Sequence, residues 1–529
     1  MNRILFNDRA KLELKSGIDR LANAVSVTIG PKGRNAIIER DGELPLITND
    51  GVTIARSIKS DDKFRNMGID IIKDVAIRTN DIAGDGTTTA VILAQSIIKE
   101  GYTNMTSGAN PIILRHGINK AKMTVINSLK GMARRIDSKD DIAHVASISS
   151  SDERIGELIS RAIDRVGTDG IITVEESNEF NTTLDIVDGM SINRGYISPY
   201  MTDEKGGSIA KLSTPRILVT DRKIDSIHSI MPILENSIQN DESILIIADD
   251  YSSDVLATLV VNKLKGNINV VAIKAPGFGA NKINILEDIC VSTGANFISR
   301  SNDTKLEDVT IEDLGNADSV KVEKESTIIV DGMGNKSVID KRISVIKEQI
   351  DKNESEFEED LLSKRLASLT GGIALINIGA VSEAEMSEKK LRIEDAINST
   401  YAAIEEGIVP GGGLALIKCI DDLESLVKDL DGDEQIGAKI VKRALEEPLR
   451  MIATNSGKDG SVILMGVLNN GMQGDNIGYD ALNNELVDLF DAGIVDPVKV
   501  TRTAIENACS VASTLLTTET CIITSDEKA

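Results

Sequence analysis

The chain has 529 residues, enough for two to four domains, with an ordinary hydrophobic content of 41% and charged content of 27%. Its formal net charge of −24 argues against a sequence-independent grip on nucleic acid or an anionic membrane, which needs clustered Lys and Arg. Aromatics make up only 2% and Trp is absent, so the core must be aliphatic. The cysteines Cys290, Cys419, Cys509 and Cys521 are widely spaced with no Cys-x-x-Cys pair, which argues against a zinc site or disulfide framework and fits a reducing compartment. His116, His144 and His228 show no metal-ligand spacing and read as ordinary surface or core residues. The first nine residues lack the apolar stretch of a signal peptide, and no apolar run reaches the ~18 residues of a membrane span. The expectation is a cytoplasmic protein without membrane or nucleic-acid partners.

In chain order, residues 1–131 read as mostly helical. Leu12, Leu14, Ile18, Leu21, Ala24 and Val25 recur at helical spacing from Arg9 to Ile29 and stop at Gly30-Pro31-Lys32-Gly33. Ala36–Arg40, an Asp41-Gly42 turn and Pro45–Thr48 read as a hairpin. Phe64–Ile82 and Ala90–Tyr102 are two further helices. From about residue 170 short β-type runs alternate with helical stretches: Ile171–Val174, Leu184–Val187, Arg216–Val219, Ile244–Ile247 and Val270–Ile273. This middle is α/β with a largely buried sheet. Asp351–Leu369 is a charged helix, and after 382 the chain is helical again.

Gly84-Asp85-Gly86-Thr87-Thr88-Thr89 is the most telling segment, because it runs directly into Val91–Ile98. Glycines admit a ligand close to the backbone, and a helix N-terminus attracts anions. Asp85 would repel a phosphate unless a divalent metal bridges them, which is how Mg²⁺ is usually held. The alternative is an ordinary Asp N-cap on a core helix. Three more glycine-bearing turns flank the middle: Thr28–Pro31, Thr48–Gly51 and Pro410–Gly413. If they share one site, the outer thirds form one domain and the α/β middle is inserted into it. Neither a P-loop nor a Gly-x-Gly-x-x-Gly motif is present, so a triphosphate would rest on backbone N–H groups, Thr hydroxyls and a metal on Asp85. Hydrolysis also needs a group to orient water, for which Asp50 and Asp395 are candidates; a solvated turn and a surface helix acid are the plain readings. On Asp254–Lys265, apolar residues cover more than one stripe, as expected of a buried helix or of a face held open for apolar partners.

Taken together, Thr28–Asn35, Asp50–Thr53, Asp62–Phe64, Ala83–Ala90, Arg194–Tyr196, Lys274–Gly279, Arg392–Ala396, Gly411–Gly413 and Gly493–Pro497 resemble the group I chaperonins, the GroEL type, over nearly the whole chain. The resemblance implies an α+β multidomain fold. A mostly α-helical equatorial ATPase domain would be 1–131 plus 406–529. A small α/β intermediate hinge domain would be 132–187 plus 374–405. An α/β apical domain, 188–373, would be inserted between the chain halves. It implies ATP on Thr28, Ile29, Gly30, Pro31, Asn49, Asp85, Gly86, Thr87, Thr88, Thr89, Gly412, Asp480, Ala481, Leu482 and Asp496. Mg²⁺ would sit on Asp85, with K⁺ assisting at the phosphates. Asp395 would swing down to position the attacking water, helped by Asp50. Tyr196, Tyr200, Met201, Met231, Leu234, Leu256, Val260 and Val261 would form an exposed surface for unfolded polypeptides and a small co-chaperonin lid. Gly189 and Gly372 fit an upper hinge, and Gly407 a lower one. The assembly implied is two stacked seven-membered rings.

Several positions depart from the family pattern. Asn49 replaces a Lys, Asp480 an Asn, Leu482 a small residue, Met201 an aromatic, Arg135 a Pro and Lys458 an acid beside an Arg450/Asp459 pair. Ser525–Ala529 is not a Gly-Gly-Met tail. The leading reading is an ATP-driven folding machine. A ring-forming holdase with weak ATPase is the alternative, and a metabolic kinase lacks an acceptor-binding constellation.

Overall fold

The computed structural model describes residues 2–524 except 41–44, 137, 169, 178–180, 204–208, 302–304, 352–355, 371 and 471–475. The tail singled out above lies outside the described residues. The chain divides into two compact units. Unit 1 is 1–161, 176–182 and 378–529; unit 2 is 162–175 and 183–377. The stretches 132–161 and 378–405, expected to belong to a third domain, group with unit 1.

Unit 1 is a helical assembly whose core is built as the composition requires. Ile, Leu, Val and Ala dominate it, with Phe64, Tyr102 and Tyr479 as its fully buried aromatics among the described residues. The Asn7–Ser26, Lys63–Ala83, Thr87–Thr106, Pro111–Gly131 and Val498–Leu516 helices pack together around this core. Thr87–Thr106 is buried on most sides: Ala90, Val91, Ile92, Leu93, Ala94, Ile97 and Ile98 are all inside. At about 1.5–3 kcal/mol per buried aliphatic side chain, that helix is a rigid post for whatever its N-terminus holds. The start is mostly helical, as expected, with one strand that the pattern did not show. Asn2–Phe6 is a strand, paired antiparallel with Thr520–Thr524. It was not legible because the partner that makes it a strand lies more than 500 residues further along the chain, where local pattern cannot announce it. The two strands of the expected hairpin pair as Ala36–Ile38 against Leu46–Thr48, while the Asp41-Gly42 turn lies outside the described residues.

Unit 2 is α/β around a nine-stranded mixed sheet among the described residues. Val270–Lys274, Ile244–Ala248 and Arg216–Val219 run parallel. Gly315–Val322, Thr327–Gly332, Thr183–Ile192 and Gly372–Ile378 continue the sheet antiparallel. Ile244–Ala248 is buried at every position, as a central strand covered on both faces must be. Gly189 and Gly372 lie inside paired strands. At Gly189 a Cβ would stand 2.7 Å from the Ile329 carbonyl oxygen as well as 2.0 Å from the end of the Ile373 side chain, so packing alone favours glycine there. No helix among the described residues is long and apolar enough to cross a membrane, and the four cysteines are free and buried.

One buried charge cluster organises unit 2. Asp288, on the Gly279–Thr293 helix and 1% exposed, accepts from Arg365 Nε at 2.7 Å, Arg365 Nη2 at 3.0 Å and Arg342 Nε at 2.7 Å. Arg342 also pairs with Glu287 at 2.9 Å, but Arg365 is 7% exposed, and removing Asp288 leaves it as an uncompensated buried charge, at about 3–5 kcal/mol. Asp288→Ala is therefore expected to destabilise unit 2 by roughly that amount. Denaturant unfolding followed by a probe within residues 183–377 checks this; a loss below about 1 kcal/mol would mean that the Arg365 guanidinium finds water or another acceptor.

Candidate functional site

The site is assembled from turns at the ends of well-packed elements of unit 1. The Leu46–Thr48 strand leads to Asp50, which caps the Gly51–Ser57 helix. Its Oδ1 accepts from the Val52 N–H at 3.0 Å and its Oδ2 from the Thr53 N–H at 2.9 Å. Asp50 is thus held in a cap, not loose in a solvated turn. The Lys63–Ala83 helix ends on Gly84 at φ 70°, and Gly86 at φ 79° opens Thr87–Thr106. Two left-handed residues within three positions reverse the chain, a path that L side chains resist. The reading of Asp85 as an N-cap fails, because Gly86 holds that place and makes no side-chain cap bond. The first-turn N–H groups of this helix, those of Thr87, Thr88 and Thr89, are left for another acceptor.

Asp85 is instead oriented by hydroxyls. Its Oδ2 accepts from Ser149 Oγ at 3.0 Å and Ser399 Oγ at 2.5 Å, and its Oδ1 from the Gly86 N–H at 2.5 Å. Thr28 Oγ1 lies 3.2 Å from Thr88 Oγ1. Gly51 backs this pair: a Cβ there would stand 2.5 Å from Thr88 Oγ1 and 2.6 Å from Thr87 Oγ1. Ile408–Pro410 pairs with Val495–Pro497, setting Val409 opposite Asp496 and bringing Asp496 next to Gly411. At the far end, Asp480 Oδ1 accepts from the Leu482 and Asn483 N–H groups, and its Oδ2 from Asn483 Nδ2.

These elements enclose a cavity of about 910 Å³, within the range of small-molecule sites. Its wall includes Thr28, Ile29, Gly30, Pro31, Asn49, Asp50, Asp85, Gly86, Thr87, Thr88, Thr89, Asp395, Gly412, Asp480, Ala481, Leu482 and Asp496. Asp395, on the Glu383–Glu406 helix, already faces the cavity. Asp395 and Asp496 touch the cavity but have their carboxyls ringed by protein. That desolvation, and then the charges of Asp85, Asp50 and Glu394, hold Asp395 well above the usual carboxylate range. Burial, followed by Asp85, pushes Asp496 up to about 7. The wall is therefore acidic where it is crowded and rich in donors at the helix start. A phosphate-bearing ligand with a divalent cation on Asp85 suits that donor set, one carboxylate plus phosphate oxygens being ordinary for Mg²⁺. Among the described residues no cluster of three metal-ligating side chains exists that would hold a cation by protein alone.

The model of the TCP-1/cpn60 chaperonin family matches residues 21–526. This chain belongs to that family. A chaperonin fold is also what the solved structures return. The crystal structure of the chaperonin gp146 from the bacteriophage EL 2 (Pseudomonas aeruginosa), determined in the presence of ATP-BeFx, is similar at a TM-score of 0.70. The identity is 22%, covering 99% of each chain.

In this chaperonin, several residues given no site role in the sequence also line the cavity: Asn80, His144, Ser149, Arg392, Gly413 and Tyr479. His144 read as ordinary, yet it sits at the wall against Gly493. Ser399 reaches Asp85 from behind. Serines in amphipathic helices carry no local signal for either role. In unit 2, two members of the expected apolar surface need correction. Met201 is 0% exposed, its sulfur accepting from the Ala272 N–H, and Leu234 is 7% exposed. Both complete the core under the Met231–Gln239 and Ser253–Leu264 helices. Tyr200 (65%) and Val261 (46%) are exposed, while Tyr196, Met231, Leu256 and Val260 are partly so. The Ser253–Leu264 helix is thus neither wholly buried nor wholly open: Val255 and Leu259 face inward, Val261 and Leu264 outward. Gly407 ends the Asp395 helix at φ 85°. Arg450 pairs within its own chain with Glu446, and Asp459 accepts from the Ser461 N–H.

A folded-state carboxyl raised to about 7 keeps its proton at pH values where the unfolded chain, near 4, has lost it. Stability from Asp496 is full below about pH 4, falls as pH rises towards 7, and is least above that. Asp496→Asn is expected to flatten this slope and raise the melting temperature of the nucleotide-free protein at pH 8. Thermal melts from pH 4 to 8 check it; parallel curves for the two proteins would rule out Asp496 as the source.

Proposed function

We propose that this chaperonin binds and hydrolyses ATP in the cavity of unit 1 and uses that cycle to capture and release non-native polypeptides. The observation carrying the reading is that the residues implied by resemblance at seven separate places in the chain line one cavity at an uncapped helix N-terminus. That the relative gp146 was crystallised in the presence of ATP-BeFx supports nucleotide as the ligand class.

In this reading the N–H groups and hydroxyls of Thr87, Thr88 and Thr89 receive the phosphates, and Thr28–Pro31 and Gly412 close over the nucleotide. Asp85 is the ligand for Mg²⁺, which when bound would screen phosphate charge, and Asn49 lies where K⁺ would assist. Asp480, Ala481 and Leu482 face the base. Because Asp480 is committed to its own turn, base contact falls to backbone and to the Leu482 side chain. Asp395 orients the attacking water and accepts its proton, its raised affinity for protons suiting a base. Asp50, fixed as a helix cap, supports it electrostatically.

The capture surface is Tyr200 and Val261, flanked by Tyr196, Met231, Leu256 and Val260. A lid co-chaperonin would compete for it. The working assembly is two stacked seven-membered rings in a bacterial-type cytoplasm. Its domains are equatorial (1–131, 406–529), intermediate (132–187, 374–405) and apical (188–373), with Gly189, Gly372 and Gly407 as hinges.

Asp395→Ala is expected to leave ATP binding within about twofold and slow hydrolysis by roughly 100-fold or more, the usual weight of a positioned base. Steady-state ATPase and equilibrium nucleotide binding on particles of checked native mass test it; wild-type turnover would remove Asp395 from the reaction. Val261→Ser is expected to weaken capture of a denatured protein by roughly tenfold, since each buried methylene-sized group contributes about 0.8 kcal/mol. Unchanged capture in a light-scattering aggregation assay would mean that the outward face of the Ser253–Leu264 helix is not the binding surface.

A further inference from the structure

The Glu383–Glu406 helix meets the 83–86 turn along one face, and that face has helical spacing. Asp395, Asn398, Ser399 and Ala402 fall at i, i+3, i+4 and i+7. Asp395 faces the cavity. Asn398 sits so close over Gly84 that a Cβ there would stand 2.3 Å from the Asn398 Cβ. Ala402 packs with Ala83 and Val500. Between them Ser399, 1% exposed, donates to Asp85 Oδ2 at 2.5 Å. Ser149, near the end of the Lys139–Ser150 helix packed against the same helix, donates to the same oxygen at 3.0 Å.

This face carries opposing forces four residues apart. Asp395 is drawn towards a cavity whose wall already holds Asp50 and Asp85, and like charges resist that approach. One turn on, a hydroxyl donates a charge-assisted hydrogen bond to one of those same acids. We infer that Ser399, seconded by Ser149, is a positioning residue: its bond to Asp85 latches the Glu383–Glu406 helix onto the 83–86 turn and holds Asp395 in the cavity before any nucleotide arrives. The latch also fixes the rotation of the Asp85 carboxylate, whose Oδ1 accepts from the Gly86 N–H at 2.5 Å. It rests on the proposed roles of Asp85 and Asp395 for its consequence in catalysis, but not for its existence.

Hydrogen exchange of the Glu383–Glu406 amides in the nucleotide-free, full-length protein reads the latch directly. Ser399→Ala is expected to speed exchange by roughly 10- to 100-fold, the weight of a hydrogen bond to a charged group. In an Asp85→Ala background the same substitution should add less than about twofold, because the bond is already gone. No acceleration in the native background overturns the inference. Equal acceleration in both backgrounds also overturns it, since Ser399 would then act by packing alone. Should Ser399→Ala fail to fold, the half-buried Ser149→Ala carries the same paired comparison. With ATP and Mg²⁺, Ser399→Ala should lower kcat about tenfold or more and leave KM within about twofold, as expected when a group is misplaced rather than binding lost; a matching rise in KM with kcat unchanged would contradict it. The exchange measurement needs no turnover, so it stands even if Asp395→Ala shows that ATP is not hydrolysed here.

Discussion

An uncapped helix start surrounded by acids is an unstable arrangement unless something occupies it. Gly86 offers the Thr87–Thr106 helix no side-chain acceptor, and the wall beside it holds Asp50, Asp85, Asp395 and Asp496. Donors and carboxylates cannot be brought together directly: Asp50 is committed to a cap and Asp85 to two serines, and burial shifts Asp395 and Asp496 towards their neutral forms. What relieves both sides at once is a polyanion for the N–H groups together with a cation for the carboxylates. The rest of unit 1 serves to hold these groups in a relation they would not choose unaided.

That holding is done by aliphatic packing. The helices behind the site are buried along Ile, Leu, Val and Ala, with few aromatic or polar contacts to give way. Glycines allow the close approaches: Gly17 against Arg65 backbone, Gly117 against Glu434 backbone, Gly51 against the two threonine hydroxyls. A dense interior transmits small shifts at a helix end rather than absorbing them. In unit 2 the emphasis is different. There a fully apolar central strand coexists with a triad of buried charge at Asp288, and the outward side of one helix is left uncovered.

Much of this was readable from residue pattern. Most helix bounds came within a few positions, the hairpin strands and the α/β middle were evident, and the glycine-bearing turns do meet, whereas the charged helix expected over Asp351–Leu369 spans the end of one helix at Asp351 and another from Glu356 to Thr370. What was not readable depends on neighbours distant in the chain. The Asn2–Phe6 strand needs Thr520–Thr524 to exist. Met201 and Leu234 look like surface residues until the helices above them are placed. Asp50 reads as an exposed turn acid, and only its geometry shows both oxygens engaged by Val52 and Thr53. Ser149, Ser399 and His144 have no motif at all; they matter because two helices from separate parts of the chain converge on one carboxylate or one wall.

The pairing of Asn2 with Thr524 also bears on how the molecule is made. Every segment of unit 2 has been synthesised once residue 377 is translated, whereas unit 1 still awaits 378–529, including the Asp395 helix, the Gly411–Gly413 turn, Asp496 and the strand that closes its sheet. Synthesis runs N-terminal first at about 5–20 residues per second, so roughly ten seconds or more separate the two completions. For that interval the long helices of unit 1 carry an apolar face without its partner, notably Thr87–Thr106 and Pro111–Gly131, which are finally covered by Val498–Leu516. A protein of this family thus passes, at its own birth, through a stage in which it resembles the incomplete chains that chaperonins are fitted to receive.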